Sequence, residues 1–415
     1  MNPDQHRGWI SGIRSLAASA AVALAVVLVP VVVTTHLASA QNFKSFKVLH
    51  SFTGTPDGSS PGASLLRDTA GNLYSTTTKG GSSNYCNGGC GTVFKVDSSG
   101  KETVLYSFTG APDGKFPLAS LVRDAAGNLY GITVNGGSFS DYGTVFKVDS
   151  SGKETVLHRF TGAPDGQNPY GFLFRDAAGN LYGTTTFGGD GNCNIDYSPG
   201  CGTVFKVDST GKETVLYSFQ GGEDGAYPAE GLVQDQAGNF YSTTNGGGGG
   251  SCAGGCGTVF KLSKTGKETV LHRFTGTPND GEYATGGVIL DAAGNLYGTT
   301  SYGGAYNDGT VYKVSKTGKE TVLYSFTGGN DGGQPLMVML VRDAAGNLYG
   351  TTDAFLGNVF KLDTSRTLTV LHAFTGRGDG SDPYAGVVLD KKGNLYGTAL
   401  DGASGNNGTV FKLGR

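Results

Sequence analysis

Seven aspartates recur in turns of the T-G-x-P-D-G type, and they are the residues whose type and spacing most suggest chemistry. They are Asp57, Asp113, Asp165, Asp224, Asp280, Asp331 and Asp379. Carboxylates gathered around one opening could bind a cation such as Ca²⁺, a cationic ligand or a sugar. Because P-D-G is an ordinary turn sequence, the alternative is that they recur only because the corner recurs. We predict these aspartates as ligand-binding residues, with no dedicated metal site and no cofactor.

Catalysis needs residues that stand apart from the repeat, and the candidates are few. Glycoside hydrolysis, for example, requires two carboxylates in unlike environments. The non-repeating acids near the same turns are Glu223, Glu230, Glu282 and Asp382, but no pattern pairs them. The Arg377-Gly378-Asp379 tripeptide resembles an adhesion motif, although its aspartate belongs to the repeated turn. The sequence contains no P-loop, nucleophile elbow or H-E-x-x-H motif, so we predict no catalytic residue.

The histidines and tyrosines follow the repeat as well. After residue 40, one repeat position holds either a histidine or a tyrosine: His50, Tyr106, His158, Tyr217, His272, Tyr324 and His372. We predict that this position packs between neighbouring units, since a triad would need one histidine unlike the others. A second group of tyrosines in the loops could stack on sugars, namely Tyr85, Tyr170, Tyr227, Tyr283, Tyr302 and Tyr384.

The elements that position these residues are copies of one unit. The motif G-N-[LF]-Y begins at Gly71, Gly127, Gly179, Gly238, Gly294, Gly346 and Gly393. In the second copy, short β-branched and aromatic runs predict strands at 120–124, 128–133, 143–148 and 154–160. Asp-x-x-Gly segments predict tight hairpins between the first and second strands and between the third and fourth. The other two joins are longer and variable, and we expect them to emerge on one face.

The two ends of the repeated region determine the architecture. It opens at 46–54 with a fourth strand that lacks its first three, and it closes at 408–413 with a third strand that lacks its fourth. Pairing these fragments yields an all-β, seven-bladed β-propeller with four-stranded blades, closed three-plus-one by the N-terminal strand. A β-solenoid is the alternative, but it would not need complementary ends. We predict residues 41–415 as a single domain.

All six cysteines lie in the loops between second and third strands. They form three closely spaced pairs, Cys86/Cys90, Cys193/Cys201 and Cys252/Cys256. An even number of cysteines in an exported chain favours local disulfides. A cross-link between neighbouring units and a metal site remain alternatives, although no histidine in these loops completes a zinc pattern.

The first forty residues predict export. Arg7 and Arg14 precede an apolar stretch at 16–33, and Ala38-Ser39-Ala40 fits a cleavage site. The segment could instead remain as a membrane anchor, since its length approaches a bilayer span. Later residues offer no such span, so we expect a secreted, periplasmic or surface-located chain without a membrane span. The formal net charge of -3 lacks the basic footprint that nucleic-acid binding requires.

The repeats G-N-L-Y-G-T-T, G-T-V-F-K-V-D and L-Y-S-F-T-G resemble those of the bacterial extracellular proteins called GloVer-containing or "choice-of-anchor". The resemblance spans residue 43 to the C-terminus in all seven copies. It implies an exported or surface protein, often with a C-terminal anchoring tail, and no assigned catalytic residues. Because the chain stops at Gly414-Arg415, we do not expect attachment through such a tail.

Three functions are compatible with these features. The first is a non-enzymatic, monomeric binding scaffold that takes an extracellular glycan, peptide or surface protein on its loop-bearing face. It is favoured because the units are near-identical, whereas an enzyme usually breaks its own symmetry at the site. The second is a polysaccharide hydrolase or lyase that uses loop carboxylates. The third is a structural component of the cell envelope.

Overall fold

The computed structural model of the chain describes Phe43 and residues 45–415, except for 139, 196, 197 and 229. The predicted leader at 1–40 and its cleavage site lie outside the described residues. Residues 43–415 form one compact unit. Among the described residues, no helix reaches the length and apolar character that crossing a bilayer requires.

Each repeat folds into a four-stranded antiparallel sheet because its two short joins are hairpins of the predicted kind. In the second unit, the Asp124 carboxylate accepts the Asn128 backbone N–H at 2.9 Å and the Tyr130 hydroxyl at 3.0 Å. Gly127 then reverses the chain with φ of 91°, a conformation that glycine adopts without steric cost. The other hairpin of this unit repeats the arrangement with Asp149 and Gly152.

The sheets form seven blades, each listed here from its first strand to its fourth. Blade 1 comprises Leu66–Arg67, Leu73–Thr77, Thr92–Val96 and Glu102–Ser107. Blade 2 comprises Val122–Arg123, Leu129–Thr133, Thr144–Val148 and Glu154–Arg159. Blade 3 comprises Phe174–Arg175, Leu181–Phe187, Thr203–Val207 and Glu213–Ser218, with Gln167–Pro169 added beside its second strand. Blade 4 comprises Val233–Gln234, Phe240–Thr244, Thr258–Leu262 and Glu268–Arg273.

The remaining blades follow the same order. Blade 5 comprises Ile289–Leu290, Leu296–Thr300, Thr310–Val314 and Glu320–Ser325. Blade 6 comprises Val341–Arg342, Leu348–Thr352, Asn358–Leu362 and Leu368–Ala373. Blade 7 comprises Val388–Leu389, Leu395–Ala399, Thr409–Gly414 and Ser45–Ser51. First strands are two residues long, shorter than the five predicted for 120–124, because residues 120, 121 and 124 lie outside the sheet ladder.

The N-terminal strand closes the ring as predicted. Ser45–Ser51 pairs antiparallel with Thr409–Gly414, and Val48 lies opposite Phe411. The sequence prediction of a seven-bladed propeller with three-plus-one closure is therefore confirmed, and the β-solenoid is excluded.

Neighbouring blades meet through a repeated aromatic contact. The phenylalanine that follows each fourth strand packs edge-to-face on the aromatic residue of the next blade's third strand, with ring centroids 5.0–5.3 Å apart. The pairs are Phe52–Phe94, Phe108–Phe146, Phe160–Phe205, Phe219–Phe260, Phe274–Tyr312, Phe326–Phe360 and Phe374–Phe411. These side chains are nearly all fully buried, so the hydrophobic core of the molecule lies between blades.

Nearer the axis, threonine hydroxyls connect the blades. Each donates to a backbone carbonyl of the following blade: Thr76 to Ala119, Thr184 to Glu230, Thr243 to Gly286, Thr299 to Val338, Thr351 to Ala385 and Thr398 to Ala63. The bond from Thr398 to Ala63 joins blade 7 to blade 1, so it links the two ends of the ring a second time, closer to the axis than the pairing of the terminal strands. In blade 2, Ile132 occupies the threonine position and cannot donate.

Substituting Phe205 by alanine tests how much one aromatic contact contributes. Phe205 is fully buried and packs on Phe160. We expect Phe205→Ala to lower the free energy of unfolding in urea by about 3–5 kcal/mol, because the cavity cannot collapse between two sheets. The control is Phe355→Ala, at a side chain that is 81% exposed. This substitution should change the free energy of unfolding by less than about 0.5 kcal/mol. Equal effects of the two substitutions would contradict this description of the core.

Candidate functional site

The seven predicted aspartates lie at separate outer positions, one in each connection that leaves a fourth strand. Each carboxylate accepts the backbone N–H of the residue four or five positions earlier. Each also pairs with the histidine or tyrosine of its own fourth strand at 2.7–3.3 Å. For Asp57, burial opposes ionisation, but hydrogen bonds from His50 and Thr53 outweigh it and lower the pKa. The aspartates brace their turns, and their role as ligand-binding residues stays a prediction.

The histidine and tyrosine position therefore does more than pack. The His372 ring stacks on Phe46 of the next blade at 3.8 Å, in line with the predicted packing between units, while its Nε2 reaches Asp379. The sequence carried an indication of this pairing, because both residue types can donate a hydrogen bond and stand seven or eight residues before the aspartate. The pairing was nevertheless missed.

A glutamate from the next blade faces this pair at five interfaces. The glutamates begin fourth strands, and they are Glu102, Glu154, Glu213, Glu268 and Glu320. Each is half-buried and has one carboxylate oxygen without a hydrogen-bond partner. Burial, with a contribution from the neighbouring aspartate, raises the pKa of each to about 7. Sequence reasoning missed these residues because each meets its aspartate across a blade boundary.

The loop-bearing face carries a second sevenfold feature, which we call the mouth ring. It consists of one residue from each connection between a fourth strand and the first strand of the next blade. These residues have φ between 50° and 58° although none is glycine. The members are Ser60, Phe116, Asn168, Tyr227, Tyr283, Gln334 and Asp382. Each donates its backbone N–H to a loop carbonyl of the preceding blade at 2.7–3.1 Å. That contact holds the backbone in a conformation that costs energy in a non-glycine residue.

The mouth ring differs from the rest of the repeat in its side chains. The hairpins, the turn aspartates and the inter-blade aromatics are nearly constant, whereas the mouth ring carries aromatic, amide, hydroxyl and carboxylate groups. Backbone strain that is kept in every copy while the side chains vary is typical of a binding surface.

The three disulfides hold part of this ring. Cys86–Cys90, Cys193–Cys201 and Cys252–Cys256 each close a loop between second and third strands, which confirms the local pairing. The carbonyls of Cys90, Cys201 and Cys256 accept the N–H groups of Phe116, Tyr227 and Tyr283, respectively. The three aromatic members of the mouth ring are therefore the three that rest on disulfide-closed loops.

Below the mouth ring, side chains from non-neighbouring blades meet on the axis. Tyr170 of blade 3 is hydrogen-bonded to Tyr384 of blade 7. Glu230 of blade 4 lies in the same region and is only 4% exposed, with Oε1 lacking a hydrogen-bond partner. Burial raises the pKa of Glu230 to about 8, so its carboxyl is mainly protonated at neutral pH. It is a buried acid with no counterpart at the same position of the other repeats.

The remaining predicted residues are dispersed. Tyr85 is 64% exposed at the rim, and Tyr302 packs edge-on against Tyr283 of the mouth ring. Glu223 forms an exposed ion pair with Arg273, and Glu282 accepts the Thr277 backbone N–H. The structure thus places Asp382 in the mouth ring, Glu282 directly beside the mouth-ring residue Tyr283, and Glu230 on the axis. Glu223 lies apart from these three.

These features define the class as a seven-bladed β-propeller built from one sequence repeat. The chain belongs to the Gloeobacter/Verrucomicrobia repeat family, whose model matches residues 36–255 and 249–415. No curated protein matches the chain.

Two solved structures share the fold. Virginiamycin B lyase from Staphylococcus aureus superposes with a TM-score of 0.59 at 13% identity, covering 89% of this chain and 100% of the lyase. The extracellular domain of a protein assigned to the one-component systems of B. thetaiotaomicron superposes with a TM-score of 0.58 at 10% identity, covering 90% of this chain and 40% of that one. At these identities the likeness is one of fold.

The raised pKa of Glu230 predicts a pH-dependent cost to stability. Between pH of about 4.5 and 8, the unfolded chain ionises this carboxyl while the folded protein keeps it protonated, so unfolding becomes more favourable as pH rises. Relative to Glu230→Gln, the wild type should lose on the order of 5 kcal/mol across this window and then level off. Urea unfolding at several pH values measures the difference. Glu223→Gln, at an exposed site, serves as the control, and a flat difference would contradict the burial of Glu230.

Proposed function

We propose that this chain is an exported binding protein that takes an extracellular glycan at the mouth ring. Phe116 and Tyr283 are half-buried, whereas Tyr227 is only 9% exposed. Exposed faces of aromatic rings supply surfaces on which sugars stack, and amide, carboxylate and hydroxyl groups supply hydrogen bonds to sugar hydroxyls. The mouth ring contains both types, with the aromatic residues Phe116, Tyr227 and Tyr283 among four polar members. Peptides and surface proteins are the other ligands compatible with such a surface.

The observation that carries the proposal is the coincidence of aromatic members with disulfide-closed loops. A disulfide that closes so small a loop adds little global stability, at the low end of about 2–4 kcal/mol. The local effect of the three disulfides is to fix the carbonyls of Cys90, Cys201 and Cys256. These carbonyls accept the backbone hydrogen bonds of the three aromatic residues. Fixing the three stacking surfaces before the ligand arrives lowers the entropic cost of binding.

Export is part of the same proposal. The three disulfides and the finding that no described helix is suited to span a bilayer are consistent with an extracellular protein. Disulfides persist in oxidising compartments. Removal of residues 1–40 then releases the propeller.

The binding proposal is tested by substituting one aromatic member of the mouth ring. Tyr283→Asn removes the stacking surface while placing at φ of 53° a residue that tolerates the left-handed conformation. We expect affinity for the glycan identified on an array to fall about 10-fold or more, as the loss of a stacked ring predicts. The measurement is isothermal titration with that glycan.

The matched control is Tyr306→Asn, at a rim tyrosine that is 62% exposed and outside the mouth ring. Its affinity should stay within about two-fold of wild type. The Cys252→Ser/Cys256→Ser variant should weaken binding while the protein stays folded. The proposal fails if no glycan binds, or if Tyr283→Asn and Tyr306→Asn behave alike.

A second candidate function is polysaccharide cleavage, and the observation that favours it is Glu230. A buried carboxyl with a pKa of about 8 can act as a general acid at neutral pH, and the hydroxyls of Tyr170 and Tyr384 lie nearby. If the chain is an enzyme, Glu230→Gln should lower depolymerisation at least 100-fold while the fold is retained. Viscometry on a panel of polysaccharides measures this. Activity that survives in Glu230→Gln would exclude this assignment, and absence of activity in the wild type would favour the binding protein.

A further inference from the structure

The interface of blades 4 and 5 brings one histidine and two carboxylates close together. His272 Nε2 lies 3.0 Å from Asp280 Oδ2, and one ligand atom from each of His272, Asp280 and Glu320 lies within 4.8 Å of the others. Asp280 is only 6% exposed. Hydrogen bonds from Thr275 and Gly281 hold its carboxylate in place.

A buried hydroxyl marks this interface as unlike the rest. Tyr312 is the aromatic residue of the third strand of blade 5, where the other six blades carry phenylalanine. The side chain is fully buried, and its hydroxyl has no hydrogen-bond partner. Burial raises the pKa of this phenol, and the carboxylates of Glu320 and Asp280 raise it further. The hydroxyl itself lies over Gly298 of the second strand, where a Cβ atom would collide with it.

From this geometry we infer that the interface of blades 4 and 5 binds one divalent cation of the zinc or manganese class through His272, Asp280 and Glu320. An imidazole nitrogen with two carboxylates suits these ions better than Ca²⁺ or Mg²⁺, which prefer all-oxygen ligand sets. The ion takes the place of the proton that His272 Nε2 and Asp280 Oδ2 share. It also neutralises the Glu320 carboxylate, one of whose oxygens is buried without a partner.

The other interfaces provide comparisons within the same chain. Among the described residues, one further group brings such atoms within 4.8 Å, namely His50, Asp57 and Glu102 between blades 7 and 1. The distance from His50 Nε2 to Asp57 is longer there, 3.3 Å, and the Asp57 side chain is more exposed than that of Asp280, so we expect weaker binding. Between blades 3 and 4, Tyr217 replaces the histidine and donates to Asp224.

The test uses substitutions that the repeat itself already contains. His272→Tyr and His50→Tyr each convert a histidine interface into the tyrosine type, which the other blades show to be compatible with folding. The EDTA-treated protein, produced without a histidine tag, is titrated calorimetrically with Zn²⁺ and separately with Mn²⁺. Thermal unfolding is followed in parallel.

We expect the wild type to bind one of the two ions with a dissociation constant in the micromolar range or below and to gain about 2–5 °C in Tm. His272→Tyr should abolish the tighter of the binding events and the gain in Tm. His50→Tyr should change neither the tighter binding nor the gain in Tm. Glu320→Gln should weaken the tighter event at least 10-fold. Glu268→Gln, at the interface of blades 3 and 4, is the matched control and should not.

The inference is overturned if the wild type shows no saturable binding below millimolar ion. It is also overturned if His272→Tyr binds as tightly as wild type, because the ion would then lie elsewhere. Retention of the Tm gain in Glu320→Gln would likewise contradict the assigned ligands.

Discussion

The packing of one blade's fourth-strand phenylalanine onto the next blade's third-strand aromatic is the contact on which the whole structure depends. A single four-stranded sheet cannot bury both of its faces, so each blade needs two neighbours. Phe160 on Phe205 is one instance, and Phe374 on Phe411 and Phe52 on Phe94 are the two that include the final blade. Because the contact runs in one direction around the molecule, it is satisfied everywhere only when the ring closes.

Closure also separates the residues that maintain the ring from those that are free to vary. At the circumference, Asp57 and its repeats are bound by their own turns and fourth strands, and their sequence hardly changes. In the mouth ring, the bond that recurs in every copy is made by the backbone N–H, so the side chains can differ without removing it. Tyr227 and Asp382 occupy equivalent positions although their chemistry is unrelated. The residues that vary between repeats are therefore concentrated at the axial end of the loop-bearing face.

The sequence was sufficient for the elements whose cause is local or repeated. Asp124 and Gly127 predict their hairpin, and the strand fragments at 46–54 and 408–413 predict the closure. The mouth ring was not predictable, because a left-handed tyrosine such as Tyr283 looks like any other loop tyrosine. Its conformation is imposed by a carbonyl of the preceding blade, here that of Cys256. The meeting of Glu320 with Asp280 also depends on how neighbouring sheets align, and no single repeat contains that information.

Amide hydrogen exchange in the N-terminal strand tests the central claim most directly. If Ser45–Ser51 is the fourth strand of blade 7, its amides that bond to Thr409–Gly414 should exchange as slowly as those of Glu268–Arg273, an internal fourth strand. Complete exchange of Ser45–Ser51 within seconds, while Glu268–Arg273 stays protected, would show that the ring is open. The account of the core and of the mouth ring would then be wrong.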